Sequence, residues 1–75
     1  MSDTVSALRE ALVVSPDNIP LRMLVARTLL DEGDATGALK EFQEVLRRVD
    51  RPDARIGAGR AAQELGKEAE LLELW

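Results

Sequence analysis

The 75-residue chain has no cysteine and no histidine, and it holds one phenylalanine and one tryptophan. Without cysteine there is no disulfide framework to staple a small fold, which fits a reducing compartment. The same two absences remove the common nucleophile–base pairs of covalent catalysis and the usual zinc ligand sets. So few aromatic rings leave little surface on which nucleic-acid bases could stack. No apolar run approaches the ~18 residues of a membrane span, and the N-terminus lacks the basic-then-apolar layout of a signal peptide. There is no glycine-rich phosphate loop ending in Gly-Lys-Ser/Thr, and no calcium loop with acidic residues at alternate positions. Asp31-Glu32-Gly33-Asp34 superficially suggests such a loop but reads better as an acidic helix end, a glycine turn and a cap. These gaps lead us to expect neither an enzyme nor a cofactor.

What remains is an apolar fraction of 45%, a charged fraction of 32% and a net charge of −4. That is the composition of one small globular domain. Its acidity argues against nucleic acid or anionic lipid as the main partner. The chain also nearly repeats itself after 33 residues: segment 21–34 laid on 54–67 pairs Arg22 with Arg55, Arg27 with Arg60 and Gly33 with Gly66. Met23 then meets Ile56, Ala26 meets Gly59 and Asp31 meets Glu64. A fixed period of this size marks a helical solenoid, in which each unit buries its apolar face against the next.

Helix signals divide the chain. Ser2 is placed to cap a first helix reaching residue 15, with Val5, Leu8, Ala11, Leu12 and Ser15 on one stripe. Pro16-Asp17-Asn18 ends it and offers Asn18 as the next cap, for a second helix over 19–32 with Pro20 in its first turn. Gly33 suits the left-handed position after that helix, and Asp34 the cap of a third helix over 35–49. Ala38, Leu39, Phe42, Val45, Leu46 and Val49 form its apolar stripe. After Asp50-Arg51-Pro52-Asp53, a fourth helix over 54–65 is closed by Gly66, and a short fifth begins near Lys67. Nothing alternates with a period of two, so the expected fold is all-α.

The string Arg22-x-x-Val25-Ala26-x-x-Leu29, followed by Ala38-x-x-x-Phe42, resembles the tetratricopeptide repeat. The resemblance implies antiparallel helical hairpins: a half repeat over 2–18, a full repeat over 19–51 and a partial one over 52–75, in a single domain. It places Ala26 and Gly59 at close helix crossings, Gly33 and Gly66 in tight turns, and Trp75 in the slot held by Phe42. The chain departs from the pattern where Arg22 and Arg55 replace an aromatic, Leu29 and Ala62 replace tyrosine, and Asp50 replaces the closing proline. An unrelated array of helical hairpins remains the alternative. With fewer than the ~3 repeats usual for independent stability, the chain reads as an N-terminal piece of a longer protein.

In tetratricopeptide folds the first helices of successive repeats line a concave groove that holds extended peptides. The resemblance therefore implies a protein-interaction adaptor, with Met23, Arg27, Leu30, Ile56 and Arg60 as groove residues. Arg27 and Arg60 would each take a carboxylate of an acidic partner by a bidentate fork. Against this stands a simpler role for them, as exposed same-helix ion pairs Arg27–Asp31 and Arg60–Glu64. The lysine and asparagine set that clamps chaperone tails in some relatives is missing, so that ligand class is not implied. A rival function is self-association, or docking onto the rest of its own chain, through the ends of the stack, where Val13, Val14, Leu71, Leu72, Leu74 and Trp75 lack a following repeat. Arg47, Arg48, Arg51, Arg55 and Arg60 form the only basic concentration, but Asp50 and Asp53 lie within it. We read it as a solvated turn, with Arg47 and Arg48 complementing a helix dipole. The expected partner is thus a protein or peptide, or a second copy of the chain, in the cytoplasm.

Overall fold

The computed structural model describes the backbone of residues 3–73 and the side chains of residues 3–67. The fold is all-α, with four helices: α1 (Asp3–Val14), α2 (Ile19–Asp31), α3 (Ala35–Arg48) and α4 (Pro52–Glu73). Capping chemistry sets most of the boundaries. Asn18 accepts a hydrogen bond from the Leu21 amide at 3.1 Å, and Pro20 sits where a missing N–H costs nothing. At the far end of α2, Gly33 adopts φ 88°, the left-handed conformation that glycine enters without strain. The Asp34 amide donates to the Leu29 carbonyl at 2.9 Å and the Gly33 amide to Leu30 at 3.1 Å, the paired bonds of a Schellman turn. Asp34 then caps α3, its carboxylate accepting from the Gly37 amide at 2.9 Å. The acidic segment 31–34 is therefore a helix end, a turn and a cap.

α3 lies between α2 and α4, α1 packs more lightly on α2, and α2 also meets α4. No Cα of α1 comes within 8 Å of α3, so a gap separates those two helices. The Cα atoms span 44 × 29 × 14 Å, and a slab this thin leaves each helix with an uncovered flank. The core is built from Val5 and Leu12 of α1, Met23, Val25, Ala26 and Leu29 of α2, and Ala38, Phe42 and Val45 of α3, closed by Ala54 and Ala61 of α4. Of the stripe read on the first helix, Val5 and Leu12 are buried and Leu8 half-buried, while Ala11 and Ser15 are exposed. Of the apolar stripe read on the third helix, only Val49, the extended residue just past the end of α3, is exposed. Among the described residues no helix is long and apolar enough to cross a membrane.

Three expectations are corrected. α4 begins at Pro52 rather than Ala54, because proline is pre-organised for the first helical position. It then runs through Gly66 to Glu73 without a break, so there is no separate fifth helix within the described residues. Gly66 has no positive φ, and the residues after it (Lys-Glu-Ala-Glu-Leu-Leu-Glu) are strong helix formers with no capping side chain. Gly33 ends its helix because Asp34 starts the next; nothing after Gly66 does so. Finally, the close approach of α4 to α3 is at Gly57, not Gly59. A side chain at Gly57 would strike the ring of Phe42, whereas the corresponding space at Gly59 is open. The Ser2 cap and the Trp75 slot lie outside the described residues.

Candidate functional site

α2 and α4 each carry two stripes. On α4, Ala54, Gly57, Ala58 and Ala61 face the core, and their small size lets the helix seat closely on α3. Rotated slightly from that stripe, Asp53, Ile56, Gly57 and Arg60 recur at helical spacing and line a groove. Met23, Arg27, Leu30 and Asp31 of α2 form its other wall, and the Phe42 ring closes the floor. The enclosed volume is about 200 Å³. The residues read from sequence as groove residues (Met23, Arg27, Leu30, Ile56 and Arg60) all line this one cavity. Gln63 and Glu64, one turn further along α4, do not line it.

These residues differ in what they offer. Met23 is buried and Leu30 half-buried, whereas Ile56 is 62% exposed and presents its side chain to solvent. The equivalence of Met23 and Ile56 is therefore one of position along the groove and not of burial. Arg27 and Arg60 are exposed, and neither forms an ion pair or side-chain hydrogen bond among the described residues. The same-helix pairs Arg27–Asp31 and Arg60–Glu64 are not made; Glu64 instead takes Lys67 at 3.4 Å. Arginine ahead of its acid along a helix is the less favourable order, which agrees with this choice. Of the groove's carboxylates, Asp53 is held by Arg51 at 2.9 Å, and Asp31 is exposed and unpaired. The Arg51 guanidinium keeps the Asp53 carboxyl below the usual carboxylate range.

The basic concentration near the α3–α4 turn is largely neutralised. Glu44 accepts from Arg48 at 2.7 Å and from Arg47 at 2.8 Å, and Arg48 also reaches Asp17 at 3.6 Å. Arg51 pairs with Asp53 and Arg55 with Asp50. Hydrogen bonding to Arg48 is the main cause that lowers the Glu44 pKa, and the charge of Arg47 adds to it. Among the described residues, only Arg60 of this cluster has no carboxylate partner, and it belongs to the groove.

Sequence reading missed a second concavity, of about 440 Å³, between α1 and α3. Leu12, Val13 and Pro16 supply its apolar wall, and Arg9, Arg22, Lys40 and Glu41 its polar side. Arg22 is built into the structure there: it donates to Glu41 at 3.1 Å and to the Pro16 carbonyl at 3.0 Å, and its Nε is buried without an acceptor. Its repeat counterpart Arg55 makes only an exposed pair with Asp50. Spacing along the chain could not reveal this concavity, because it arises from the gap between helices that are not sequence neighbours. The self-association residues Leu71, Leu72, Leu74 and Trp75 lie outside the described side chains, while Val13 and Val14 are 81% and 84% exposed. Among the described residues no cluster of histidine, cysteine, aspartate or glutamate could hold a metal ion. No protein-family model, curated protein or solved structure matches this chain.

Proposed function

We propose that the chain is a protein-interaction module of tetratricopeptide type, a pair of antiparallel hairpins that holds an extended partner peptide in the groove between α2 and α4. The observation that carries this reading is the pair of free guanidiniums, Arg27 and Arg60, on opposite walls of one cavity with an apolar floor. A carboxylate between them is taken by forked hydrogen bonds, while Met23, Leu30 and Ile56 receive an apolar neighbour. Asp31, unpaired in the same groove, then faces the ligand's amides or a basic residue beside the carboxylate. The chain acts by binding and not by catalysis, and it does so in the cytoplasm. Barely two helical pairs line the groove, so the affinity is modest, roughly micromolar.

The test is a fluorescence titration with a labelled peptide that ends in an acidic residue. Arg27→Ala with Arg60→Ala abolishes binding and leaves helicity intact, since both side chains are exposed and outside the core. Arg47→Ala with Arg48→Ala leaves binding unchanged, because neither lines the groove. The reverse pattern would sink the groove mechanism. A second reading, docking or self-association through the ends of the stack, is favoured by the exposed pair Val13 and Val14 on the last turn of α1. Light scattering over a concentration series separates the two, since only the second expects a dimer.

A further inference from the structure

We propose that the cleft between α1 and α3 is a second docking site, for an acidic amphipathic segment of a partner protein. It shares no residue with the α2–α4 groove. Its wall of Leu12, Val13 and Pro16 includes an unusually exposed apolar side chain, Val13. Arg9 on α1 and Lys40 on α3 flank it from two helices whose Cα atoms stay more than 8 Å apart. Both are exposed and neither has a carboxylate partner among the described residues, although Arg22, Arg47, Arg48, Arg51, Arg55 and Lys67 are all paired.

Charge decides the kind of occupant. Arg22 and Glu41 neutralise each other at the back of the cleft, so Arg9 and Lys40 leave it two positive charges on a chain of net charge −4. An apolar strip between two free cations matches a helix whose large aliphatic residue is flanked by carboxylates one turn to either side. A polyphosphate fits less well: the apolar wall gives it nothing to bond, and it would bring its charge close to Glu41. The fixed Arg22–Glu41 pair holds α2 to α3 and so keeps the cleft's back wall in place.

The experiment uses the full chain, isotope-labelled, and a synthetic helical peptide with a central leucine flanked by glutamates one turn away. A matched peptide with glutamine in place of glutamate is the comparison. The acidic peptide should shift the amide signals of Leu12, Val13, Gly37 and Lys40, and the glutamine peptide should bind about tenfold more weakly, the size expected for two exposed ion pairs lost together. Arg9→Gln with Lys40→Gln should weaken the acidic peptide by about the same factor. Arg27→Ala with Arg60→Ala should leave it unaffected, which separates this site from the groove. Equal binding of the two peptides, shifts confined to groove residues, tighter binding of polyphosphate, or no shift at all would each overturn the proposal. Shifts at the cleft that grow with protein concentration alone would also overturn it, by making a second copy the occupant.

Discussion

At Gly57 the absence of a side chain decides how closely two helices approach. The residue is buried against the Phe42 ring, which is itself 1% exposed and stands where a Cβ at this position would go. Gly57→Ala should therefore lower stability by about 1–2 kcal/mol, even though alanine is the better helix former by nearly 1 kcal/mol. Thermal melting measures this, and Phe42→Leu in the same chain should recover part of the loss if the two side chains collide. The opposite sign is expected two positions on. Gly59 and Gly66 are exposed inside α4 with open space where a Cβ would stand, so alanine at either should stabilise by about 0.5–1 kcal/mol. Gly33→Ala has equal room but must adopt φ 88°, and should destabilise by about 1 kcal/mol. Three exposed glycines thus separate by backbone alone, and a melting temperature that moved the same way for all of them would contradict this account.

At the scale of elements, what the sequence made legible was what is local. Asn18, Gly33 and Asp34 act through bonds to residues within five positions, so their roles follow from residue type and order. Helix packing is not local, and there the period misled. Matching Arg22 to Arg55 and Arg27 to Arg60 gave 33, but Arg22 is half-buried and Arg55 exposed, so a match of residue type was not a match of burial. Burial repeats one residue earlier: Val25, Ala26 and Leu29 correspond to Gly57, Ala58 and Ala61. The shift brings Ala58 rather than Gly59 opposite Ala26 and pairs Val25 with Gly57, where the close contact lies, while Arg27 and Arg60 still line the same groove. The end of α3 also has a pH signature. Glu44 has a lowered pKa because it accepts hydrogen bonds from Arg48 and Arg47, so the unfolded chain binds its proton more readily than the folded one. Its contribution is complete above the ordinary carboxylate range and is lost as pH falls through the lowered value; Asp53, held by Arg51, behaves alike. Acid melting of Glu44→Gln should consequently show a shallower loss of stability than the parent chain over that range. Since these pairs are exposed, added salt should narrow the difference.

Across the whole molecule, charge is distributed so that its few free cations mark the concave places. The surface is acidic in total, and most arginines are tied to neighbouring carboxylates. Among the described residues, Arg27 and Arg60 have no carboxylate partner at the α2–α4 groove, nor do Arg9 and Lys40 at the α1–α3 cleft. Long-range attraction of an acidic partner is weak for such a chain, so association should rest on short-range pairing at these positions. The consequence for the proposed groove can be measured. Raising ionic strength from low to physiological should weaken an acidic peptide only a few-fold, because two contacts are screened and no broad positive field exists. Arg60→Glu should do more than remove an anchor: it would place a third carboxylate beside Asp31 and Asp53 and turn the groove towards basic ligands. A peptide with lysine in place of its acid should then bind the Arg60→Glu chain better than the parent, with Arg27 still selecting against it. If the exchange of charge on the protein fails to exchange the preference for peptide, Arg60 does not touch the ligand and the groove is not where the partner lies.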